Sequence, residues 1–525
     1  MTKILVADPI APEGIDLLKS RADVDVRRGL KSEELIEILG EYDALIVRSE
    51  TKVTGPVIAA GKRLQVIARA GVGVDNIDLE AATGGGISVV NAPAGNTIAA
   101  AEHTLALILA AARNVPQAHG SLKEGRWERS AFMGIEVRNK TLGIIGLGRV
   151  GSEVARRARS FSMRPVAFDP FVSPEYAQMA GVELMDFNEL LSQCDFLTLH
   201  TAYTYDTHHL IGAKELALMK PTAYLINVAR GELVDEDAIV EALEGERLAG
   251  AALDVFSTEP PQHTALVNHP NVIVTPHLGA STREAQREVA LEASEQVLAV
   301  LRGEPVRNMV NGPFLPPEVH AVIDPYAPVA NTLGKLLIHL SEGRLMNMQI
   351  TYEGEIAQHD TTVLKSSVLA GFLTPISEER INVINAPTIA EQRGLAVTER
   401  KVTEIPEFGS LITVGINTTS GSLSLTGACI RNEAHLVRVN DHWLDVVPYS
   451  PYMLFIEHQD QPGSIGAVGS ITGQNDINIS FMEVGRISPR GRATMIVGLD
   501  DPVPTSVLDQ LRALPHIDNA RLIRM

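Results

Sequence analysis

Short apolar runs alternate with stretches whose apolar positions recur every third or fourth residue through the first 280 positions. Lys3–Ala7, Val24–Val26, Ala44–Val47, Val66–Ala68 and Ile87–Val90 read as short buried strands. Between them Gly14–Ser20 and Ser32–Leu39 read as helices, the second with Ser32 as its N-cap. Strands alternating with helices imply a parallel sheet covered on both faces. Ile98–Ala112 is apolar nearly all round, which predicts a helix lying between two domains rather than on a surface. His103 falls inside it and reads as a buried, hydrogen-bonded structural histidine. Ser121–Lys140 is polar and basic, either a solvated loop or a basic flap over an anionic site, its own or a neighbour's.

At Thr141 the alternation resumes with a sharper signal. Leu142–Ile145 leads into Gly146-Leu147-Gly148-Arg149-Val150-Gly151, and Val150, Val154, Ala155 and Ala158 then share one helix face. In a strand, glycine turn and helix of this kind the first glycine permits the turn. The second lets a pyrophosphate approach, and the third lets helix and strand pack closely. The helix N-terminus adds free N–H groups and a positive dipole end. A second apolar run ends at Asp169, 18 residues after Gly151, where an acid accepts from ribose hydroxyls and repels a 2′-phosphate. The pattern reads as an NAD site rather than an NADP site.

Further strands are predicted at Asp195–His200, Ala223–Asn227, Ala249–Val255 and Val272–Thr275, with helices at Glu215–Leu218 and Glu236–Glu244. Arg230, Asp254 and His277 fall at strand ends, where a doubly wound sheet holds its ligand, and Glu259 lies just beyond Asp254. Ser281–Leu301 predicts a long helix that returns to the N-terminal block. Asn311–Pro317 reads as a proline-rich linker, and Asp324–Leu340 as a helix. A mixed stretch to about Val447 includes strands at Asn347–Tyr352 and Leu436–Val439. The tail reads Met453–Glu457 strand, Asp460–Gly463 turn, Ser464–Asn475 helix, Ile477–Val484 and Ala493–Leu499 strands, Thr505–Ala513 helix and Ala520–Ile523 strand. That is the ferredoxin-like βαββαβ order.

A length of 525 residues calls for three or four domains. Hydrophobic content of 45% provides large cores, and the net charge of −19 argues against general nucleic-acid binding without excluding a local arginine cluster for anions. Two distant cysteines, Cys194 and Cys429, fit a reducing compartment. The first residues lack a signal peptide's apolar core and no run is long enough to span a bilayer, so a cytoplasmic protein is expected. No metal-ligand spacing stands out; His208–His209 read as solvent-facing.

Oxidising an alcohol beside a carboxylate with a nicotinamide cofactor needs a base, a cation for the carboxylate and an acid to orient the base. His277, Arg230 and Glu259 supply these types. The runs Val228–Ile239, Gly250–Pro261 and Thr275–Thr282 resemble the D-isomer-specific 2-hydroxyacid dehydrogenases, in which the matching Arg, Glu and His are catalytic. Arg69–Asn76, Asn91–Thr97, the His277–Thr282 run and Trp127–Arg129 resemble the branch of that family acting on 3-phosphoglycerate, in its long form with intervening and ACT domains. A departure is Ala202, where the family usually has Pro.

The resemblance implies a Rossmann-like doubly wound sheet inserted in a flavodoxin-like α/β substrate domain. An α+β intervening domain and a ferredoxin-like ACT domain follow. It divides the chain into a substrate domain (1–97 and 281–305), an NAD domain (98–280), an intervening domain (306–451) and an ACT domain (452–525). It implies NAD-dependent oxidation of 3-phospho-D-glycerate to 3-phosphohydroxypyruvate, the first committed step of serine synthesis, in a homo-oligomer. Gly146, Gly148, Arg149, Val150, Gly151, Asp169, Thr201, Thr207, Val228, Asp254, His277 and Gly279 would surround the cofactor. Arg48, Arg69, Gly71 and Val72 would join Arg230 and His277 around the substrate. His458, Asp460, Gly463 and Asn478 would bind serine as inhibitor across paired ACT domains. The rivals are a dehydrogenase for another D-2-hydroxy acid (glyoxylate, hydroxypyruvate or 2-hydroxyglutarate) and a non-enzymatic NAD(H) sensor.

Overall fold

The computed structural model describes residues 2–304, 306–312, 317–404 and 409–524, and it contains four sheets. The first has five parallel strands in the order Asp23–Val26, Lys3–Val6, Ala44–Val47, Val66–Arg69, Ser88–Asn91. Its inner strands Lys3–Val6, Ala44–Val47 and Val66–Arg69 are largely apolar and buried because helices cover both faces, while the edge strand Asp23–Val26 alternates Asp and Val. The long helix Arg283–Arg302, capped by the Thr282 hydroxyl, returns as expected. Its Val289, Ala290, Ala293 and Val297 share a core with Ile4, Val6, Ile46 and Val90. The helix Pro12–Lys19 crosses it so closely that a Cβ on Gly14 would lie 2.8 Å from the Ala290 carbonyl oxygen.

The second sheet has seven parallel strands. From Thr141–Ile145 the chain steps outward to Arg164–Phe168 and Glu183–Leu184. It then returns to the other side of Thr141–Ile145 for Phe196–Leu199, Tyr224–Asn227, Gly250–Leu253 and Val272–Val274. This reversal opens a crevice at the carboxyl ends, between Thr141–Ile145 and Phe196–Leu199. The helix Thr97–Ala112 leads from the first sheet's last strand to the second unit and is largely buried there, with Leu105, Ile108 and Ala112 in its core. No single helix among the described residues is long and apolar enough to cross a membrane.

The third sheet orders Val397–Val402, Leu345–Gly354, Ser410–Thr418, Gly421–Ile430, Glu433–Val439 and His442–Val446; its first pair is parallel and the rest antiparallel. The fourth is the βαββαβ unit, ordered Ile479–Arg486, Arg492–Leu499, Tyr452–Gln459, Ile517–Arg524. Leu454, Ile456 and Val497 face its own helices, Ser464–Gln474 and Thr505–Arg512. The alternate residues Met453, Phe455, Ile496 and Ile523 belong to the core of the preceding unit. Period-two alternation thus lets one sheet close two cores.

Three expectations need correction. Ser32 is the first helical residue, not the cap; Lys31 takes the cap position, and its N–H donates to Glu34 Oε2 at 2.8 Å. Ser121–Lys123 end a helix, Val115–Lys123, and Arg129–Phe132 form a 3₁₀ turn within the supposed loop. Asp324–Leu340 is a 3₁₀ turn, Asp324–Tyr326, followed by the helix Ala327–Leu340, because Pro325 and Pro328 bring no N–H to a continuous ladder. The proposed linker Asn311–Pro317 lies partly outside the described residues. Cys194 and Cys429 are free, and burial pushes the Cys194 thiol up to about 12.

A side chain at position 14 has no room against Ala290. Gly14→Leu should cost about 1–3 kcal/mol and lower the melting temperature by several degrees in calorimetry. An unchanged melting temperature would contradict the close crossing.

Candidate active site

The glycine turn is shaped by what surrounds it. Gly146 has φ +91°, and a Cβ there would lie 2.7 Å from the His200 carbonyl oxygen. A Cβ on Gly151 would lie 2.1 Å from the Gly146 carbonyl, whereas one on Gly148 would meet nothing within 4 Å. The helix Arg149–Ser160 starts at Gly148 without a side-chain cap, so its first N–H groups are open to an anion. Asp169 Oδ2 accepts from the Leu147 N–H at 2.8 Å, which anchors the turn to the end of the next strand. An open second glycine, an uncapped helix start and a strand-end acid together fit a dinucleotide.

The rim of this crevice holds the other expected cofactor residues. Thr207 Oγ1 donates to the Ala202 carbonyl at 2.8 Å and accepts from the Thr204 N–H at 2.7 Å, closing the loop that begins at Thr201. A Cβ on Gly279 would touch Val228 Cγ1 at 3.0 Å and Asp254 Oδ2 at 3.2 Å. Asp254 itself is fully buried. Its Oδ1 accepts from Thr275 Oγ1 at 2.5 Å, the Leu278 N–H at 2.7 Å and His103 Nε2 at 3.1 Å, and its Oδ2 accepts from the Gly279 N–H at 2.8 Å. Burial alone would raise its pKa; the bonds from His103, Thr275 and Leu278 outweigh it and hold the carboxyl below the ordinary value. His103 is hydrogen-bonded, as expected, but its partner is at the site.

His277 and Glu259 meet: Nδ1 is 2.8 Å from Oε2, and Glu259 Oε1 accepts from the Phe256 N–H at 3.3 Å. Nδ1–H to the carboxylate leaves Nε2 as the atom able to take a proton. Arg230 sits across the cleft against the first unit. Its Nε donates to Asp75 Oδ2 at 3.2 Å and its Nη1 to the Ala229 carbonyl at 2.7 Å. A Cβ on Gly73 would lie 1.8 Å from Arg230 Nη2, so a side chain here would displace the guanidinium from its present place. The Asp75 and Gly73 contacts escape sequence reasoning; both lie in the Arg69–Asn76 run, but nothing in it shows what crosses the cleft.

Arg69 ends the strand Val66–Arg69, and its guanidinium lies over Gly71, where a Cβ would fall 1.7 Å from Nη1. Its Nε is buried without a hydrogen-bond partner. Burial, then the neighbouring charges of Arg230 and Arg48, lower its pKa to about 10. Arg48 donates its N–H to Asp8 Oδ2 at 2.6 Å. Val72, between the two loop glycines, is partly exposed. The basic segment near Trp127 is less cationic than its composition implies, because Arg126 pairs with Glu124 and Glu128, and Arg138 with Glu136.

The four expected effector residues do not gather within one chain. Asp460 pairs with Arg486 Nη1 and accepts from the Arg490 N–H at 3.2 Å, which lowers its pKa. Gly463, φ +97°, starts the helix Ser464–Gln474, and His458 is buried with Nε2 unpartnered. Asn478 Nδ2 donates to Asp500 at 2.6 Å. By register, Gln459 faces Arg492 at one end of the sheet, while Tyr452 and Ile479 both face Leu499 at the other. Asp460 and Asn478 are thus separated by about 25 Å of strand.

Comparison with known proteins agrees with this geometry. Residues 105–279 match the family model for the D-isomer specific 2-hydroxyacid dehydrogenase NAD binding domain. Residues 322–440 match the D-3-phosphoglycerate dehydrogenase intervening domain, and 452–516 the ACT domain. Among solved structures, the TT0316 protein of Thermus thermophilus is 38% identical with a TM-score of 0.55, covering 59% of this chain and all of its own. The D-lactate dehydrogenase of Aquifex aeolicus, complexed with NAD and lactic acid, is 29% identical with a TM-score of 0.53, covering 59% of this chain and all of its own. Fold and NAD-binding domain therefore place the chain among the D-isomer specific 2-hydroxyacid dehydrogenases, as an NAD-dependent oxidoreductase.

The particular branch follows from full-length relatives. The D-3-phosphoglycerate dehydrogenase of Synechocystis is 45% identical over all of this chain and 95% of its own length, and that of Methanocaldococcus jannaschii 44% identical over all of both. The chain belongs to the D-3-phosphoglycerate dehydrogenase family.

His200 offers a test of burial in this unit. It is half-buried, its Nε2 is 3.0 Å from Thr198 Oγ1, and desolvation lowers its pKa to about 3 from 6.5. The unfolded chain takes up a proton below pH 6.5 that the folded chain refuses, so this residue's stability contribution falls as pH drops, by about 1.4 kcal/mol per unit. The melting temperature of His200→Asn should fall less between pH 7 and 5 than that of wild type; parallel curves would refute the burial argument.

Proposed function

We propose that this chain oxidises 3-phosphoglycerate to 3-phosphohydroxypyruvate with NAD, the first committed step of serine synthesis, in the cleft between its two parallel sheets. The observation that carries the reading is Arg69: a half-buried arginine whose Nε is sealed without a partner and whose charge faces those of Arg230 and Arg48. A partly desolvated cation of this kind is stabilised by an anion that arrives from outside. A substrate carrying both a carboxylate and a phosphate supplies it.

In this reading Arg230 holds the carboxylate and polarises the oxygen at C2. His277 Nε2 takes the C2 hydroxyl proton, and Glu259 stabilises the imidazolium through Nδ1–H. Arg69 and Arg48 hold the remaining anionic charge, with Gly71 and Val72 lining the approach. NAD, when bound, supplies the hydride acceptor. Asp169 holds the adenosine ribose, and the N–H groups from Gly148 to Gly151 hold the pyrophosphate. In the reverse direction imidazolium returns the proton. The same pair would serve any D-2-hydroxy acid; three arginines about one cleft favour the doubly anionic substrate.

We further propose serine as an inhibitor bound between two ACT units. A site built from Asp460 and Gly463 of one copy and Asn478 of another requires a homo-oligomer, since one chain holds them at opposite ends of its sheet. His458 lies beside Asp460 in this arrangement. A cytoplasmic location fits the pathway.

The test follows NADH formation by absorbance with 3-phosphoglycerate and NAD, with and without serine. Turnover suppressed by millimolar serine is expected; turnover indifferent to serine would remove the effector site, and no turnover would remove the substrate. Arg69→Ala should raise the KM for 3-phosphoglycerate by about 10- to 100-fold, and an unchanged KM would exclude it from the site. His277→Gln should lower kcat by about 10²- to 10⁴-fold with a smaller change in KM.

A further inference from the structure

His277 stands in the left-handed region, φ +54°, which costs a residue other than glycine free energy unless its surroundings impose it. The surroundings here are two residues, Asp254 and Thr275. The His277 N–H is shared between the backbone carbonyls of Asp254 at 2.9 Å and Thr275 at 3.0 Å, and the N–H groups of Leu278 and Gly279 end on the Asp254 carboxylate, on Oδ1 at 2.7 Å and on Oδ2 at 2.8 Å. The two residues that follow His277 are thus held by the Asp254 carboxylate, which is sealed from water.

Two side chains orient that carboxylate. Thr275 Oγ1 donates to Oδ1 at 2.5 Å, and His103 Nε2 lies 3.1 Å from Oδ1 and 3.2 Å from Thr275 Oγ1. Since the threonine hydroxyl donates its hydrogen to Asp254, its oxygen accepts from His103, and Nε2 carries the proton. His103 thereby braces acid and hydroxyl at once. It reaches them from the helix Thr97–Ala112, an element outside the sheet whose strand ends carry Asp254 and Thr275.

We propose that His103 is a positioning residue for the reaction assigned above: it fixes the Asp254 carboxylate, and through it the backbone that holds His277 against Glu259. The inference rests on that functional reading. His103 touches neither of the proposed reacting groups, so its removal loosens the base rather than the anion site. Of the arginines that would bind substrate, Arg69 ends a strand of the other sheet and Arg48 follows one, while Arg230 is held by Asp75 and the Ala229 carbonyl, none of which His103 bonds. The expected signature is a fall in kcat with little change in KM for 3-phosphoglycerate.

His103→Phe removes the donor and keeps the ring; His103→Gln restores an N–H at about the same reach, because glutamine Nε2 occupies nearly the position of histidine Nε2. With 3-phosphoglycerate and NAD, kcat of His103→Phe should fall by about 10-fold or more, while its KM stays within about threefold. His103→Gln should recover to within about threefold of wild type. NADH binding, followed by fluorescence, and the melting temperature are measured alongside. A kcat for His103→Phe within twofold of wild type overturns the proposal. So does equal impairment of Phe and Gln, or loss of NADH binding together with activity, which would mark a purely structural role. A wild type silent on both 3-phosphoglycerate oxidation and hydroxypyruvate reduction would instead refute the functional reading.

Discussion

A carboxylate sealed from water must find all its hydrogen bonds inside the protein, and Asp254 finds them in the loop that carries His277. The cost of leaving it unsatisfied fixes two successive backbone N–H groups, those of Leu278 and Gly279, directly after His277. His277 accepts a left-handed conformation as the consequence. The imidazole is thereby delivered to Glu259, which its own loop holds through the Phe256 N–H. A structural requirement on one buried acid thus becomes geometric precision at the neighbouring imidazole.

The second constraint is electrostatic. The chain carries a net charge of −19, yet Arg48, Arg69 and Arg230 approach one another at the cleft. Like charges brought together and partly desolvated are unfavourable, and the lowered pKa of Arg69 reports that strain. Asp75, Asp8 and the glycines at 71 and 73 make the cluster possible, the acids by partial compensation and the glycines by leaving room. A cleft that spends stability on concentrated positive charge is one organised for an anion. Its place between a flavodoxin-like sheet and a doubly wound sheet puts that anion beside the nucleotide crevice.

Much of this was legible in the sequence, for reasons that can be named. Parallel strands buried on both faces leave unbroken apolar runs, so Ala44–Val47, Phe196–Leu199 and Tyr224–Asn227 announced themselves. The glycine turn did so because backbone approach tolerates one residue type. Short amphipathic helices such as Gly55–Ala60, Pro174–Ala180 and Phe187–Gln193 went unread, since one or two turns carry too little periodicity. The brace between His103 and Asp254 spans 151 positions, and the contact of Asp75 with Arg230 spans 155. Such pairs are set by how elements pack, which no local pattern encodes. For the same reason the tail's βαββαβ order could be read, but not that Met453 and Phe455 close the core of the preceding unit.

Arg48, Arg69 and Arg230 at one cleft should select a phosphorylated 2-hydroxy acid over an unphosphorylated one. The most direct measurement compares kcat/KM for 3-phosphoglycerate with that for D-glycerate, which lacks the phosphate, under identical NAD and salt. The account predicts a preference of about 10²-fold or more for the phosphorylated acid, narrowing as ionic strength rises. Equal values for the two acids would contradict it and leave a dehydrogenase that reads only the hydroxy-carboxylate end of its substrate.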